Sequence, residues 1–205
     1  MKKILYSVAL AACCMGTMTS CSDFLDASNK SNVTAKQSFA TKEGLNNLVN
    51  NAYQHLQNVY AAPLFTSCFS AGTDMYADAR NKMNEALNTY ETLTPENTDI
   101  KNLYTYLYSG IRAANSVSYY AQTAQVDEKT KGQLVGEARV LAAYEYYLLV
   151  NNFGGVPIMK DFLTTADTGY PKSSATDVYA YIISELEEVI SKNVLQASTA
   201  TKGGG

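Results

Sequence analysis

Residues 136–157 of this chain read Gly-Glu-Ala-Arg-Val-Leu-Ala-Ala-Tyr-Glu-Tyr-Tyr-Leu-Leu-Val-Asn-Asn-Phe-Gly-Gly-Val-Pro. Nearly every position from 140 to 150 is apolar or aromatic, which is typical of a helix buried on most sides. Gly154 can adopt the left-handed conformation that ends many helices, and Pro157 cannot continue one. The stretch therefore predicts a central buried helix that stops at a glycine turn.

Three amphipathic patterns accompany this helix. Each repeats apolar residues at the 3.6-residue period of one helix face, and Tyr53 and Tyr60 fall on the first of these faces. The patterns cover residues 41–60, 94–121 and 174–190. The second pattern and the buried helix start about 32 residues apart, close to the ~34-residue period of tetratricopeptide helix pairs. We therefore expect a mainly α fold of tetratricopeptide-like pairs, with at most a short extended piece at 156–159.

Capping side chains mark where these helices begin. Thr41, Asp127 and Ser174 each carry an oxygen that can accept a hydrogen bond from a first-turn backbone N–H. Thr94 is followed by proline, an order that favours a helix start. Residues 61–93 show no sustained period, and an irregular stretch of that length in a folded domain is usually functional. We expect loops there that carry the binding site.

The N-terminus has the order of a secretory signal. Two lysines precede an apolar run from position 4 to 15, and small residues then precede Cys21. The run is too short for the roughly 20 residues that cross a bilayer. A cysteine at this position resembles the bacterial lipoprotein box, which implies that its thiol is lipidated. We expect residues 1–20 to be a signal peptide, residues 21–37 a tether lipidated at Cys21, and residues 38–205 the folded domain. The alternatives are a plain signal peptide with an incidental cysteine, or a spanning helix.

Charge and cysteine content exclude several classes of partner. The chain has 16 basic and 19 acidic residues. Two lysines would leave with the signal, so 14 basic residues remain against 19 acidic, a net charge of −5. This balance predicts no nucleic-acid partner. Once Cys13 and Cys14 are removed and Cys21 is lipidated, Cys68 alone remains, which excludes an intrachain disulfide.

The sequence contains no catalytic motif. A glycosidase needs two carboxylates facing each other across a sugar bond, whereas Glu137 and Glu145 lie on one predicted helix. For these two we expect pairing with arginine or solvation at an interface. His55 is the single histidine, and one histidine with one free cysteine cannot form a usual zinc site. We therefore expect a protein that is not an enzyme and uses no metal or cofactor.

The stretch at 136–157 resembles the SusD/RagB family, in which an E-A-R-F-L-R-A-x-x-Y-F helix runs into an F-G-x-x-P turn. Five further stretches match the family in the same order. They are Asp23-Phe24-Leu25-Asp26 after the cysteine, Phe39-Ala40-Thr41-Lys42-Glu43-Gly44, Thr73-Asp74, the L-Y-x-x-I-x-x-A-N-like segment at 107–115, and Pro171-Lys172-Ser173-Ser174. Matches that keep their order from residue 21 to 202 are far more specific than any one alone.

The resemblance implies a lipoprotein of the outer membrane that faces the cell surface. Such proteins capture nutrients, mostly glycans, over a SusC-like TonB-dependent transporter, and no chemistry is attributed to them. Their fold is a helical scaffold with irregular loops facing the ligand. The family's members are much longer than this chain, so the resemblance implies the N-terminal portion only, truncated relative to the family. Cys21 would carry the diacylglycerol and palmitate of the anchor.

The candidate ligand site lies in the loops that follow Thr73-Asp74, where the resemblance places ligand-contacting aromatics. A sugar is held by an aromatic ring under its apolar face, flanked by amide and hydroxyl groups. The candidate residues are Tyr76, Arg80, Asn81, Asn84 and Tyr90. Three interpretations stay open: a glycan-binding protein, a relative that binds peptides or another nutrient, and a non-functional truncated fragment that serves only as a helical scaffold for protein partners.

Overall fold

The computed structural model describes residues 35–61, 63–76, 85–163 and 169–195. These residues form helices and no strand, so the predicted mainly α fold is confirmed and residues 156–159 form no strand. The helices are α1 (Ala35–Phe39), α2 (Lys42–Tyr60), α3 (Leu64–Phe69), α4 (Glu85–Thr89), α5 (Thr98–Ala121), α6 (Glu128–Phe153) and α7 (Ala175–Lys192). The predicted signal peptide and Cys21 lie outside the described residues. None of the described helices combines the length and apolar character of a membrane-crossing span.

Three of the predicted caps are confirmed. The Thr41 hydroxyl accepts a hydrogen bond from the backbone N–H of Gly44 at 3.0 Å. Asp127 and Ser174 accept in the same way from the backbone N–H three residues on, at 2.9 and 3.1 Å. Each cap pairs one of the N–H groups that the first turn of a helix leaves unpaired. The starts of α2, α6 and α7 are therefore set by local chemistry.

The predicted start of α5 at Thr94 is wrong. Asn97 caps this helix, since its side-chain oxygen accepts from the backbone N–H of Asp99 and Ile100 at 3.0 and 3.1 Å. The backbone carbonyl of Thr94 instead accepts a hydrogen bond from the backbone N–H of Asn97 at 3.1 Å, in the turn that precedes the helix. An asparagine that pairs two first-turn donors competes successfully with a threonine–proline start.

The long helices pack in sequence order around α5 and α6. Helix α5 lies against both α2 and α6, and α6 lies against α7, which matches the predicted arrangement in helix pairs. One core cluster joins α2, α5 and α6 and is rich in alanine, as at Ala52, Ala114 and Ala138, so these helices approach closely. A second cluster uses larger side chains, including Leu107 and Tyr146, and extends to α7.

The segment after α6 is fixed by buried polar contacts. The Tyr146 hydroxyl accepts the backbone N–H of Met159 at 2.7 Å, and the Asn115 side chain donates to the Met159 carbonyl at 2.8 Å. As predicted, α6 stops at a glycine: its last residue is Phe153, and Gly154 follows with a φ of 69° and a ψ of −136°, which is not the left-handed helical conformation. A Cβ on Gly155 would lie 2.2 Å from the Ser173 carbonyl oxygen. Glycine at position 155 therefore lets the chain before α7 pass next to the end of α6.

Candidate ligand-binding face

The loop corner that follows α3 is organised around Gly72. This glycine has a φ of 77°, in the left-handed region that residues with a side chain seldom occupy. Its backbone N–H donates to the Asn88 side-chain oxygen at 3.4 Å, which joins the corner to α4. A Cβ on Gly72 would lie 2.0 Å from the Tyr90 hydroxyl oxygen. The Tyr90 side chain therefore rests on the bare backbone of Gly72.

Tyr90 is itself in an unusual conformation. Its φ is 63°, which is uncommon for any residue other than glycine and costs on the order of 1–3 kcal/mol. Its backbone N–H donates to the Ala86 carbonyl at 3.1 Å, so the strained residue closes α4. The side chain is 58% exposed. The corner thus presents an aromatic ring to solvent from a backbone fixed on two sides.

Tyr76 lies on the same corner, in the turn that begins at Ser70. The Thr73 hydroxyl donates to the Ser70 carbonyl at 2.7 Å, and the Tyr76 backbone N–H donates to the Thr73 carbonyl at 3.4 Å. The Tyr76 side chain is half-buried. The structure therefore places Tyr76 and Tyr90 on one loop corner. Tyr90 packs on Gly72, and Tyr76 lies four residues after Gly72 in the chain. Of the other candidates, Arg80, Asn81 and Asn84 lie outside the described residues.

A row of aromatic rings on α2, α3 and α6 was not predicted as a site. The aromatic row comprises Tyr60, Phe65, Phe69, Tyr144 and Tyr147. Within it, the Phe65 ring centroid lies 5.5 Å from that of Tyr60, and Tyr144 stacks on Tyr147 at 6.2 Å. The hydroxyls of Tyr60 and Tyr144 share a hydrogen bond that joins α2 to α6. All but Phe69 are 37–46% exposed.

Polar groups flank the aromatic row on both sides. The Tyr53 hydroxyl donates to Glu137 at 2.7 Å, and burial together with this carboxylate raises the Tyr53 pKa to about 12. The Tyr179 hydroxyl donates to the Asn151 side-chain oxygen at 3.2 Å. Asn151 also donates to the Tyr147 carbonyl at 2.6 Å. Rings, phenols, an amide and a carboxylate thus lie side by side, which is the chemistry that holds a sugar.

The expectation for Glu145 is wrong. It is neither paired with arginine nor solvated, because it is fully buried and both carboxylate oxygens lack a hydrogen-bond partner among the described residues. Burial raises its pKa to about 9, so the group is neutral at pH 7. Glu137 bonds to Tyr53 at the surface, so the carboxylates of Glu137 and Glu145 do not face a common cleft.

The described part of the chain also holds no cluster of three or more His, Cys, Asp or Glu that could bind a metal.

Cys68 does not supply a reactive thiol. It lies half-buried against the second core cluster. Burial and the nearby Asp99 carboxylate raise its pKa to about 11. Only the thiolate is nucleophilic, so this residue is inert at neutral pH. What the described face offers is contact area and hydrogen bonds.

The fold and this face correspond to a known class of protein. The chain belongs to the SusD-like_3 family, described as "Starch-binding associating with outer membrane", whose match covers residues 23–200. It is 28% identical over 190 residues to SusD-like protein P38 of Formosa agariphila, across 90% of this chain and 36% of that protein. The predicted resemblance to the SusD/RagB family is confirmed.

Solved structures show the same fold. The chain is similar to surface glycan-binding protein A from Bacteroides uniformis, with 26% identity and a TM-score of 0.63 over 74% of this chain and 35% of that one. A SusD superfamily protein from Bacteroides vulgatus is 16% identical with a TM-score of 0.66, over 77% of this chain and 35% of that one. The chain thus spans about a third of the length of these proteins. This partial coverage agrees with the predicted N-terminal portion.

Proposed function

We propose that this chain captures glycans at the cell surface, without altering them, for import through a partner TonB-dependent outer-membrane transporter. The observation that carries the proposal is the exposed set of rings formed by the aromatic row and Tyr90, with phenol and amide groups beside them. The family's description as starch-binding proteins supports the same ligand class. The B. uniformis relative is named a surface glycan-binding protein.

The geometry suits an extended polymer better than a small molecule. Pyranose rings present apolar C–H faces that stack on aromatic side chains, while their hydroxyls bond to amides and phenols. One exposed ring contributes little, but several contacts to one chain act together through a high effective concentration. The aromatic row and the Tyr90 corner supply such multiple contacts.

Retention on immobilised glycans tests the proposal. Tyr147→Ala, Tyr90→Ala and Tyr76→Ala each remove one ring, and we expect each to weaken binding of amylose or laminarin by roughly 3- to 10-fold, equal to about 0.7–1.4 kcal/mol. Tyr170→Ala is the matched control, because Tyr170 is half-buried like Tyr76 but lies in the segment before α7, outside the row. Affinity gel electrophoresis gives the dissociation constants.

The same assay separates the alternatives. Unchanged glycan retention in all three variants would contradict the proposal and favour a scaffold that binds only protein. Binding to a peptide array without binding to any polysaccharide would favour a peptide-binding relative. A co-purified transporter that is retained by all three variants would identify the protein partner independently of the ligand.

We further propose that Cys21 carries the lipid anchor and that the residues between Cys21 and α1 form the tether. Two or more acyl chains bind a membrane stably, whereas one binds marginally. Cys21→Ala should therefore release the protein from the cell surface and leave glycan affinity unchanged. Fractionation of cells followed by an affinity gel measures both. A released protein that has also lost affinity would show that Cys21 does more than anchor the chain.

A further inference from the structure

A second concave site lies between α2 and α5, separate from the aromatic row. It is an open cleft of about 360 Å³, near the lower end of the roughly 300–1,000 Å³ typical of small-molecule sites. The side chains with chemistry to offer are Asn51, His55, Ser109, Arg112, Tyr120 and Phe162. None of the described lining residues is acidic. The cleft therefore combines one cation with neutral polar groups and aromatic rings.

Arg112 carries a charge that no acidic side chain neutralises among the described residues. Its guanidinium carbon lies 5.6 Å from the centroid of the Phe162 ring, and it makes no ion pair within the described part of the chain. Arg139 shows the opposite case, since it pairs with Glu185 at 2.7 Å between α6 and α7. A guanidinium held against a ring keeps its donors available and presents them as a planar fork that matches a carboxylate.

The opposite wall offers hydrogen-bonding groups at helical spacing. Asn51 and His55 are four residues apart on α2, so they share a face. The Nδ1 atom of His55 is buried and has no hydrogen-bond partner among the described residues. Burial lowers the pKa of this imidazole, which favours its neutral form. Ser109 lies three residues before Arg112 on α5, so polar groups line both sides of the cleft.

Aromatic rings form the remaining surface. The Tyr120 ring centroid lies 5.8 Å from that of Phe162 and 4.9 Å from that of Phe39. Tyr119 contacts the same ring of Phe162 at 5.4 Å. Rings next to a guanidinium and several neutral donors can hold a molecule that has an apolar face, hydroxyl groups and one negative charge.

We propose that this cleft binds an acidic sugar residue, with Arg112 holding the sugar carboxylate and the rings of Phe162 and Tyr120 packing on its apolar face. The inference rests on the proposed glycan-binding function and adds a preference for a charged glycan at a second place on the molecule. A neutral sugar would leave the guanidinium without a partner. A simple organic acid would leave the aromatic surface and the polar wall at Asn51 unused.

Oligogalacturonate and its methyl ester test this inference, since esterification removes the negative charge of the carboxyl group and adds only a methyl group. Calorimetry with the full chain should show the acid binding at least 10-fold more tightly than the ester. Arg112→Gln should remove that difference. Lys101→Gln is the matched control, because it removes one positive charge from the exposed side of the same helix and should keep the difference.

Two results would overturn the inference. One is equal affinity for the acid and the ester; the other is a preference for the acid that survives Arg112→Gln in a chain shown by circular dichroism to be folded. Either result, with amylose retention still dependent on Tyr147, would leave the proposed function in place. Acid binding that depends on Arg112, without retention of any neutral glycan, would instead contradict the role of the aromatic row.

Discussion

Glu145 is an acidic residue in an apolar interior, which is unusual for a carboxyl group. It lies in the middle of α6 with no exposed surface, and its carboxyl oxygens lack hydrogen-bond partners among the described residues. A charged carboxylate in such a place would be very costly, so the group takes up a proton instead. Its pKa rises to about 9, whereas an unfolded chain gives a value near 4.3. Folding and protonation are therefore linked.

The sign of this linkage gives a prediction for Glu145→Gln. Because the folded pKa is raised, Glu145 is protonated in both the folded and the unfolded chain below about pH 4.3 and causes no loss of stability there. The stability of the wild-type chain falls by about 1.4 kcal/mol per pH unit as the pH rises toward the folded pKa. Glutamine does not titrate. We therefore expect the free energy of unfolding of the variant, relative to that of the wild type, to increase by about 3 kcal/mol between pH 5 and 7. Urea unfolding at pH 5, 6, 7 and 8 measures it.

A surface control makes this test specific. Glu43→Gln removes a carboxyl from an exposed position in the first turn of α2 and should leave the pH slope nearly unchanged. Stability curves for wild type and Glu145→Gln that stay parallel from pH 5 to 8 would contradict a neutral buried Glu145.

At the scale of the elements, α5 and α6 pack tightly at Gly110. A Cβ placed there would lie 1.7 Å from the Glu145 Oε1 atom, far inside contact distance. Gly110→Ala should therefore destabilise the chain by roughly 1–3 kcal/mol, the usual cost of overpacking, despite the better helix propensity of alanine. Thermal and urea unfolding give the value.

The partner variant shows whether the clash is the cause. Glu145→Ala opens the space that the new methyl group needs, so Gly110→Ala should cost much less in that background. A coupling energy of 1 kcal/mol or more in the double-mutant cycle is expected for residues in direct contact. Additive effects would mean that Gly110 matters for another reason, such as backbone freedom in α5.

The same elements show how far the sequence alone could lead. Periodicity found the four long helices, and caps at Thr41, Asp127 and Ser174 could be placed because a cap acts on its own first turn. The cap at Asn97 was missed because Thr94 and Asn97 could each begin the helix, and the choice depends on which backbone turn forms before α5. Tyr60 fell on an apolar face, yet it lies at the edge of α2, where only the position of α6 decides its exposure. Arg112 and Phe162 are fifty residues apart, and no local pattern joins them.

For the molecule as a whole, the outer face of α7 matters because it leaves apolar side chains unpacked. This helix buries Val178, Ile182 and Val189 against α6. On its other side, Ile183 and Ile190 are 55% and 75% exposed. The relatives are nearly three times as long as this chain, which spans 36% and 35% of two of them. Apolar side chains left in water on one helix favour association, at about 25 cal/mol for each Å² that a contact buries.

We therefore expect these 205 residues, expressed alone, to bind hydrophobic dyes and to self-associate as concentration rises. Ile183→Lys with Ile190→Lys should reduce both effects and change stability by less than about 1 kcal/mol, because both side chains are already exposed. Ala180→Lys with Ser191→Lys adds the same two charges at exposed positions of α7 and serves as the control, in which association should be reduced less. Sedimentation velocity over a concentration series separates the cases. A monomer at every concentration with a sharp two-state melt would show that α7 needs no partner, and α6 alone would then account for its stability.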